Sequence, residues 1–238
     1  MSRQLNEKQI NTLKTILKFR YVTTDNLANH RGITHNSAYS ALEILHTEGY
    51  LGKLHEKSYR LQNKSARYFL TAKGLHYLRY DAKVKLHETT WNSRRREESK
   101  TADFIDQQVA IHSAYVQLRE RFGQKAKVLT AIDLVGIEGI IKPYPVLYVV
   151  PASGKHFFVE LADGQHLFFV RKRIRKYIAN YDADDWEWEK YPDVYIIRES
   201  ASDRTRLKRF IDELMDDSYL DEDDFTFHIV GKVDQIKV

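Results

Sequence analysis

Apolar side chains recur at helical spacing in the first 50 residues of this 238-residue chain. From about Asn6 to Phe19 they form one stripe of Ile10, Leu13 and Leu17, which predicts an amphipathic helix. A shorter helix, capped by Thr24, is expected next. Gly32 ends it, because glycine accepts the positive φ that closes a helix at its C-terminus. The pattern therefore predicts two helices that lead through a tight turn into a third.

The third helix is expected to start after Thr34, whose hydroxyl can accept a hydrogen bond from the first turn. Its inward face is predicted to carry Ala38, Ala41, Leu42 and Leu45. By the 3.6-residue period, the outward face then consists of His35, Asn36, Tyr39, Ser40 and Glu43. Two helices joined by a three-residue turn are typical of a helix-turn-helix.

Extended segments follow the third helix. The residues predict strands at Tyr50-Leu51, Tyr59 to Leu61 and Arg67 to Leu70, with polar connections between them. These segments are typical of a wing hairpin. A helix capped by Thr71 then runs to about Arg79. We therefore expect a winged-helix DNA-binding domain over residues 1–80.

The remainder of the chain predicts a linker and a second domain. Residues 81–101 are charged and low in apolar content, so we expect a charged linker that is helical in part. Residues 102–238 predict a small α/β domain. Its helices are expected at about 101–122, 170–181 and 202–215, and its strands at 127–135, 146–150, 156–161, 193–198 and 225–229. The expected fold class is α+β, with a winged helix-turn-helix followed by this α/β domain.

Charge is distributed unevenly along the chain. The net charge is +5, yet residues 1–100 hold 19 Lys and Arg against 9 Asp and Glu, and the rest holds 19 against 24. The two parts therefore carry balances of +10 and −5. Because neutralisation of phosphates by Lys and Arg supplies most non-specific DNA affinity, the basic part is expected to bind a polyanion.

The composition also excludes several kinds of site. The absence of cysteine excludes disulfides, thiolate catalysis and cysteine–zinc centres. None of the ten histidines falls in a metal-ligand spacing such as H-E-x-x-H. No apolar run reaches the roughly 20 residues of a bilayer span, and the N-terminus lacks the apolar block of a signal peptide. We therefore expect a cytoplasmic protein without a membrane partner, a metal or a cofactor.

The third predicted helix is the expected DNA-reading element. Recognition helices enter the major groove and contact base edges mainly with their N-terminal residues. Here those residues are His35, Asn36, Tyr39 and Ser40, and Asn36 can bond both polar atoms on an adenine edge. Contacts to the DNA backbone are expected from Arg31, Lys53, Lys57, Arg60 and Lys64. The alternative is a winged helix that serves protein contacts only, with a solvated polar face.

Short motifs follow one another in a characteristic order. They are Leu70-Thr71-Ala72-Lys73-Gly74, Lys142-Pro143-Tyr144, Phe157-Phe158-Val159-Glu160, Gly164, Lys172 to Tyr177, and Tyr191-Pro192-Asp193. With these motifs the chain from about Ile10 to Met215 resembles the replication-relaxation family of plasmid-encoded proteins. The resemblance implies a DNA-binding protein of a mobile element that acts in plasmid replication, copy control or DNA relaxation.

The second domain is also similar to a degenerate nuclease of the PD-(D/E)xK type. Such nucleases hold Mg²⁺ between an Asp after the proline and an acidic residue on the next strand, with a Lys two residues on. Glu160 matches the acidic position, but Tyr144 stands where the Asp should be and Ala162 where the Lys should be. Since one carboxylate does not make a two-ligand metal site, we expect an inactive domain and a protein that is not an enzyme.

The helix after Gly164 displays four basic residues away from its apolar side: Arg171, Lys172, Arg175 and Lys176. They form either a solvated face or a second DNA-contacting strip.

The favoured function is sequence-specific binding of double-stranded DNA. The second domain would serve dimerisation or binding of replication or relaxation proteins. One alternative is a winged-helix transcriptional repressor with a ligand- or partner-sensing C-terminal domain. Another is a metal-dependent endonuclease that pairs Glu138 with Glu160.

Overall fold

The computed structural model describes residues 4–55, 59, 61, 64–123, 125–220 and 224–237. The fold is mixed α and β, with eight α-helices and two sheets in these ranges. Two compact units divide the chain, unit 1 at Met1–Val116 and unit 2 at Gln117–Val238. The boundary lies within a helix, α6, which spans Ala102–Phe122. The sequence, in contrast, places boundaries near residues 80 and 101.

Unit 1 opens with three helices, α1 at Glu7–Phe19, α2 at Thr24–Arg31 and α3 at His35–Thr47. The side chains of Asn6, Thr23 and Thr34 cap them by accepting hydrogen bonds from backbone N–H groups in the first turn. The cap of α2 is therefore Thr23 and not Thr24, which is the first helical residue. The apolar stripes meet in a core that includes Leu13, Ile16, Leu27, Leu42 and Leu45.

A two-stranded sheet follows, with β1 at Leu51–Leu54 antiparallel to β2 at Arg67–Leu70. The predicted strand at Tyr59 to Leu61 is wrong for its two described ends, since both are helical. The N–H of Lys64 donates to the carbonyl of Tyr59 at 2.8 Å.

Helix α4 at Ala72–His76 packs closely against the start of the sheet and continues as a π-helical turn, Tyr77–Asp81. Thr71 caps it by accepting from the N–H of Gly74, and donates its own hydroxyl proton to the carbonyl of Gly49 at 2.8 Å. A Cβ on Gly74 would lie 2.4 Å from the carbonyl oxygen of Tyr50. Only glycine therefore permits this approach.

The segment 81–101, for which a charged linker is expected, lies within unit 1. It holds α5 at Glu88–Ser93 and a 3-10 turn at Glu97–Ser99. Trp91 and Glu97 are buried. The Glu97 carboxylate lies 2.7 Å from the guanidinium of Arg20, and Arg94 donates to the carbonyl of Leu17 at 3.0 Å. The charged side chains are thus used inside the unit, and burial lowers the pKa of Arg94 to about 10.

Unit 2 contains a five-stranded sheet in the order β3-β4-β5-β6-β7. Its strands are β3 Lys127–Thr130, β4 Leu147–Val150, β5 Phe157–Leu161, β6 Asp193–Ile197 and β7 Phe227–Val230. The first three pair antiparallel and the last three pair parallel. Helix α7 at Leu167–Asp182 connects β5 to β6, and α8 at Ala201–Asp217 connects β6 to β7. One face of the sheet packs on these two helices through residues such as Phe158, Val194, Ile174 and Leu207.

Strand β3 is shorter than the predicted 127–135. The carboxylate of Asp133 accepts from the backbone N–H and the hydroxyl of Thr130, at 2.8 and 2.9 Å. This side chain turns the backbone, so that residues 131–136 form turns. In the described part of the chain, no helix is both long and apolar enough to cross a membrane.

An imidazole pair is enclosed in unit 1. His112 is fully buried and stacks on Phe19 with ring centroids 4.0 Å apart. Its Nε2 lies 3.2 Å from Nδ1 of His30. Burial lowers the pKa of His112 to about 3, and the neighbouring His30 and Lys18 act in the same direction. His112 is therefore neutral in the folded protein at any pH above this value.

Unit 1 is expected to lose stability as the pH falls from about 6.5 towards 3. In this window the unfolded state binds a proton at His112 and the folded state does not, at about 1.4 kcal/mol per pH unit for one proton. Urea unfolding of His112→Phe, which keeps a ring of similar size, should show a shallower pH dependence. His55→Phe, at an exposed histidine, is the matched control. Equal slopes for the wild type and His112→Phe would contradict the assignment.

Candidate nucleic-acid interface

The turn between α2 and α3 fixes the start of the candidate reading helix. Gly32 adopts the left-handed conformation at φ 61°, and the N–H of Ile33 donates to the carbonyl of Ala28 at 3.0 Å. Thr34 then accepts a hydrogen bond from the N–H of Ser37 at 3.2 Å. These local bonds fix the direction in which α3 leaves the turn.

The structure places the four predicted base-contacting residues together on one exposed face of α3. His35, Asn36, Tyr39 and Ser40 are exposed, whereas Ala38, Leu42 and Leu45 are buried beneath them. The ring of Tyr39 is 45% exposed, and the first turn contains no acidic residue. In the described ranges, the side chains of Asn36 and Ser40 have no hydrogen-bond partner. Both are therefore available to an external ligand.

Two of the flanking groups are tied to neighbouring helices. The guanidinium of Arg31 donates to the hydroxyl of Thr12 on α1 at 2.7 Å and is half-buried. The imidazole Nε2 of His35 lies 3.5 Å from the carboxylate of Asp25 on α2, and both side chains are exposed. Arg31 thus has a structural contact, while His35 can leave its weak partner at little cost.

Lys53 already has a carboxylate partner. Its ammonium donates to Glu43 on α3 at 2.7 Å, and the same oxygen accepts from the hydroxyl of Tyr68 at 2.6 Å. Burial raises the pKa of Glu43, but the bonds from Lys53 and Tyr68 outweigh it and the net shift is downward. The pair ties α3 to both strands, so Lys53 would have to exchange this partner for a phosphate.

Lys64 is paired as well. Its ammonium lies 2.6 Å from the carboxylate of Asp106 on α6, which also accepts from Arg67 at 3.0 Å. Lys57 and Arg60, the remaining predicted backbone contacts, lie outside the described residues. The sequence did not predict Glu43 and Asp106 as partners of these lysines. Each carboxylate lies on a different element from the lysine that it binds.

The position at which the sequence predicts a degenerate nuclease site holds a largely buried ion pair. Glu160 lies two residues after Phe158 and so faces the same side of the sheet, towards α7. Its Oε1 accepts from Arg173 at 2.8 Å and from the hydroxyl of Tyr177 at 2.5 Å. Arg173 also donates to the carbonyl of Pro143 at 2.7 Å. Burial raises the pKa of Glu160, and Arg173 and Tyr177 oppose this rise.

The two substituted ligand positions do not complete a metal site. Tyr144 packs against the apolar core of unit 2, and Ala162 is buried. Asp163, the next residue, accepts a hydrogen bond from the N–H of Glu199 at 2.8 Å. Within the described ranges, no three His, Asp or Glu side chains form a metal-binding group. The donors near Glu160 therefore do not fit the Mg²⁺ of an active nuclease.

The predicted basic strip of α7 divides into two kinds of contact. The guanidinium groups of Arg171 and Arg175 lie 5.0 and 4.9 Å from the ring centroid of Phe210 on α8. Lys172 and Lys176 are exposed. Arg171 is half-buried, so three of the four residues present their charge to solvent.

A family model described as replication-relaxation matches residues 13–187, which is more than half of the chain. The chain therefore belongs to the replication-relaxation family, as the order of its motifs predicted. Membership connects it with replication or relaxation. No curated protein and no solved structure matches the chain.

The ion pair of unit 2 gives a stability prediction. Arg173→Met should lower the free energy of unfolding of unit 2 by about 3–5 kcal/mol at neutral pH, because the largely buried carboxylate of Glu160 would lose its cationic partner. The exposed neighbour offers the matched control Lys172→Met, which should cost less than about 0.5 kcal/mol. Urea unfolding followed by tryptophan fluorescence measures the free energy of unfolding of each variant, since Trp186 and Trp188 pack on the core of unit 2.

The double variant Glu160→Gln/Arg173→Met separates charge from packing. It should recover part of the loss, because no buried charge then lacks a partner. If Arg173→Met proves as stable as Lys172→Met, the pair does not hold α7 to the sheet.

Proposed function

We propose that this protein binds double-stranded DNA sequence-specifically through α3, as a winged helix, and that it acts on a plasmid or similar mobile element. The observation that carries the proposal is the exposed face of α3, where His35, Asn36, Tyr39 and Ser40 stand together on a helix fixed by its cap. A polar helix face of this kind fits the major groove, whose base edges offer hydrogen-bond donors and acceptors.

The charge of the chain supports a DNA ligand. Residues 1–100 carry a balance of +10, which favours contact with phosphates. Lys53 and Lys64 are already paired with carboxylates, so a phosphate would gain less from them than from an unpaired lysine. We therefore assign specificity to α3 and only a secondary role to these two lysines.

Membership of the replication-relaxation family supports a role in replication or relaxation of a mobile element. The proposed roles are replication, copy control or DNA relaxation, with a second copy of the chain and replication or relaxation proteins as partners. The site of action would be the cytoplasm.

A repressor with a ligand-sensing second domain is the second candidate. A cavity of about 870 Å³ lies between α8 and β7, lined by residues that include Lys208, Asp212, Phe225, His228 and Gln235. Its volume falls in the range of small-molecule sites. DNA selected by the purified protein from a random pool discriminates the two, because a replication or transfer origin favours the first and a promoter the second.

Asn36→Ala should weaken binding to the selected site by about 1–3 kcal/mol and binding to random DNA much less, because phosphate contacts are unchanged. Asn29→Ala, at an exposed asparagine of α2, is the matched control and should bind both DNAs as the wild type does. Fluorescence anisotropy over a salt series gives both affinities. Lys57→Ala should instead weaken all sequences alike and lower the salt slope by about one unit.

An unchanged ratio of specific to random binding in Asn36→Ala would remove α3 as the reading element. Circular dichroism of each variant checks that the fold is retained.

We also propose that the protein is not a nuclease, since the one matching carboxylate, Glu160, is held by Arg173 and Tyr177. Supercoiled plasmid incubated with the protein and Mg²⁺ or Mn²⁺ should remain supercoiled on a gel. Metal-dependent nicking that disappears in both Glu160→Ala and Glu138→Ala would establish the endonuclease alternative.

A further inference from the structure

Two phenylalanine rings stand exposed at the start of α7. Phe168 and Phe169 are 60% and 61% exposed, whereas Val170, Ile174 and Tyr177 on the opposite side of the helix are buried. The two ring centroids are 5.5 Å apart and the ring planes meet at 74°. The rings therefore present differently directed faces to solvent.

Core packing does not account for this pair. Single exposed apolar side chains are common on protein surfaces. Two adjacent exposed rings, however, leave a larger apolar area in contact with water, and folding would normally bury such an area. Since α7 is already fixed by its buried face and by Arg173, neither ring is needed to hold the helix in place.

Cations without a carboxylate partner in the described structure continue the same face. Lys172, Arg175 and Lys176 follow the rings at helical spacing and are exposed. The described part of the chain supplies no carboxylate partner to any of the three. The only acidic residue of α7 is its last, Asp182, although the chain beyond residue 100 is acidic overall. This face is thus a basic and aromatic exception in an acidic region.

We propose that the α7 face binds single-stranded DNA, with Phe168 and Phe169 stacked on bases and Lys172, Arg175 and Lys176 at phosphates. Every base offers a π-face to an aromatic ring, and cations alongside track the backbone. In a duplex those faces are already stacked on neighbouring bases, so the rings select the single strand. Residues 168–176 extend about 12 Å along the helix, which corresponds to about three or four nucleotides at the spacing of one DNA strand.

The same chemistry is less suited to a membrane. A helix that lies in a bilayer interface needs an apolar face along several turns. On α7 the exposed positions in the two turns after the rings are all charged, namely Lys172, Arg175 and Lys176, so the apolar part ends within one turn. The charge of the face and the shortness of its apolar part both favour a nucleic acid.

The test measures binding of the full chain to a fluorescent oligo(dT) of about 20 nucleotides, long enough to cover such a site. Phe168→Ala/Phe169→Ala should bind at least about tenfold more weakly than the wild type, because base stacking is lost while every cation stays. Phe168→Tyr/Phe169→Tyr keeps the rings and should bind as the wild type does. Tyr219→Ala, at a side chain that is 97% exposed, is the control for removal of an exposed ring.

An abasic oligonucleotide of the same length separates stacking from charge. The wild type should bind it about as weakly as Phe168→Ala/Phe169→Ala binds oligo(dT). Lys172→Gln/Lys176→Gln should lower the slope of log affinity against log salt by about 1.4, for two phosphate contacts on a single strand. Lys232→Gln/Lys237→Gln removes the same charge from exposed residues after β7 and should leave the slope unchanged.

Measuring the affinity of each variant for duplex DNA separates this proposal from the one for α3. Phe168→Ala/Phe169→Ala should retain wild-type affinity for the selected duplex, and Asn36→Ala should retain it for oligo(dT). The proposal is overturned if the wild type does not bind oligo(dT), or if removal of both rings leaves that binding unchanged. It is also overturned if the rings matter only for binding to mixed phosphatidylcholine and phosphatidylserine vesicles, which would indicate a membrane contact.

Discussion

Arg173 enters the core of unit 2 as a charged side chain, and the residues around it are arranged to receive that charge. Glu160 on β5, Tyr177 on α7 and the carbonyl of Pro143 all bond to its guanidinium or to the carboxylate beside it. A buried charge is tolerated only with such partners. The pair therefore fixes the rotation of α7 about its own axis against the sheet. It also engages the carboxylate of Glu160, which the sequence matches to the acidic position of a nuclease-like site.

The rotation of α7 decides what the helix shows to solvent. With Arg173, Ile174 and Tyr177 turned inward, the 3.6-residue period leaves Phe168 and Lys172 outward. One ion pair thus both engages the Glu160 carboxylate and directs an aromatic and basic face to solvent. In unit 1, the pair of Glu43 and Lys53 has a comparable role, because it ties α3 to β1 one turn beyond Tyr39 and Ser40, which stay exposed on the same face of the helix.

Local sequence patterns predicted much of the fold. They did not predict which side chains from distant parts of the chain would pair. The starts of α1 and α3 follow from short-range capping, and the buried side of α3 from periodicity. The end of β3 was missed because one side chain, Asp133, turns the backbone there. The partners of Lys53 and Lys64 were missed because Glu43 and Asp106 lie on other elements. For the two rings of α7 a signal existed, since neither falls on the apolar side that Val170, Ile174 and Ile178 define in the helical period.

The same reasoning applies to segment 81–101, for which the sequence predicts a charged linker and whose charges the structure uses in contacts within unit 1. A count of charged residues reflects how strongly isolated charged side chains prefer water. A carboxylate and a guanidinium that form an ion pair can nevertheless be buried together. Arg20 and Glu97 meet in this way, and Trp91 adds apolar burial that a count of charges does not register. For a chain with 30% charged residues, the position of each opposite charge in the fold decides whether a segment is solvated or structural. The lysines of α7, which have no such partner in the described structure, remain available for an anionic ligand.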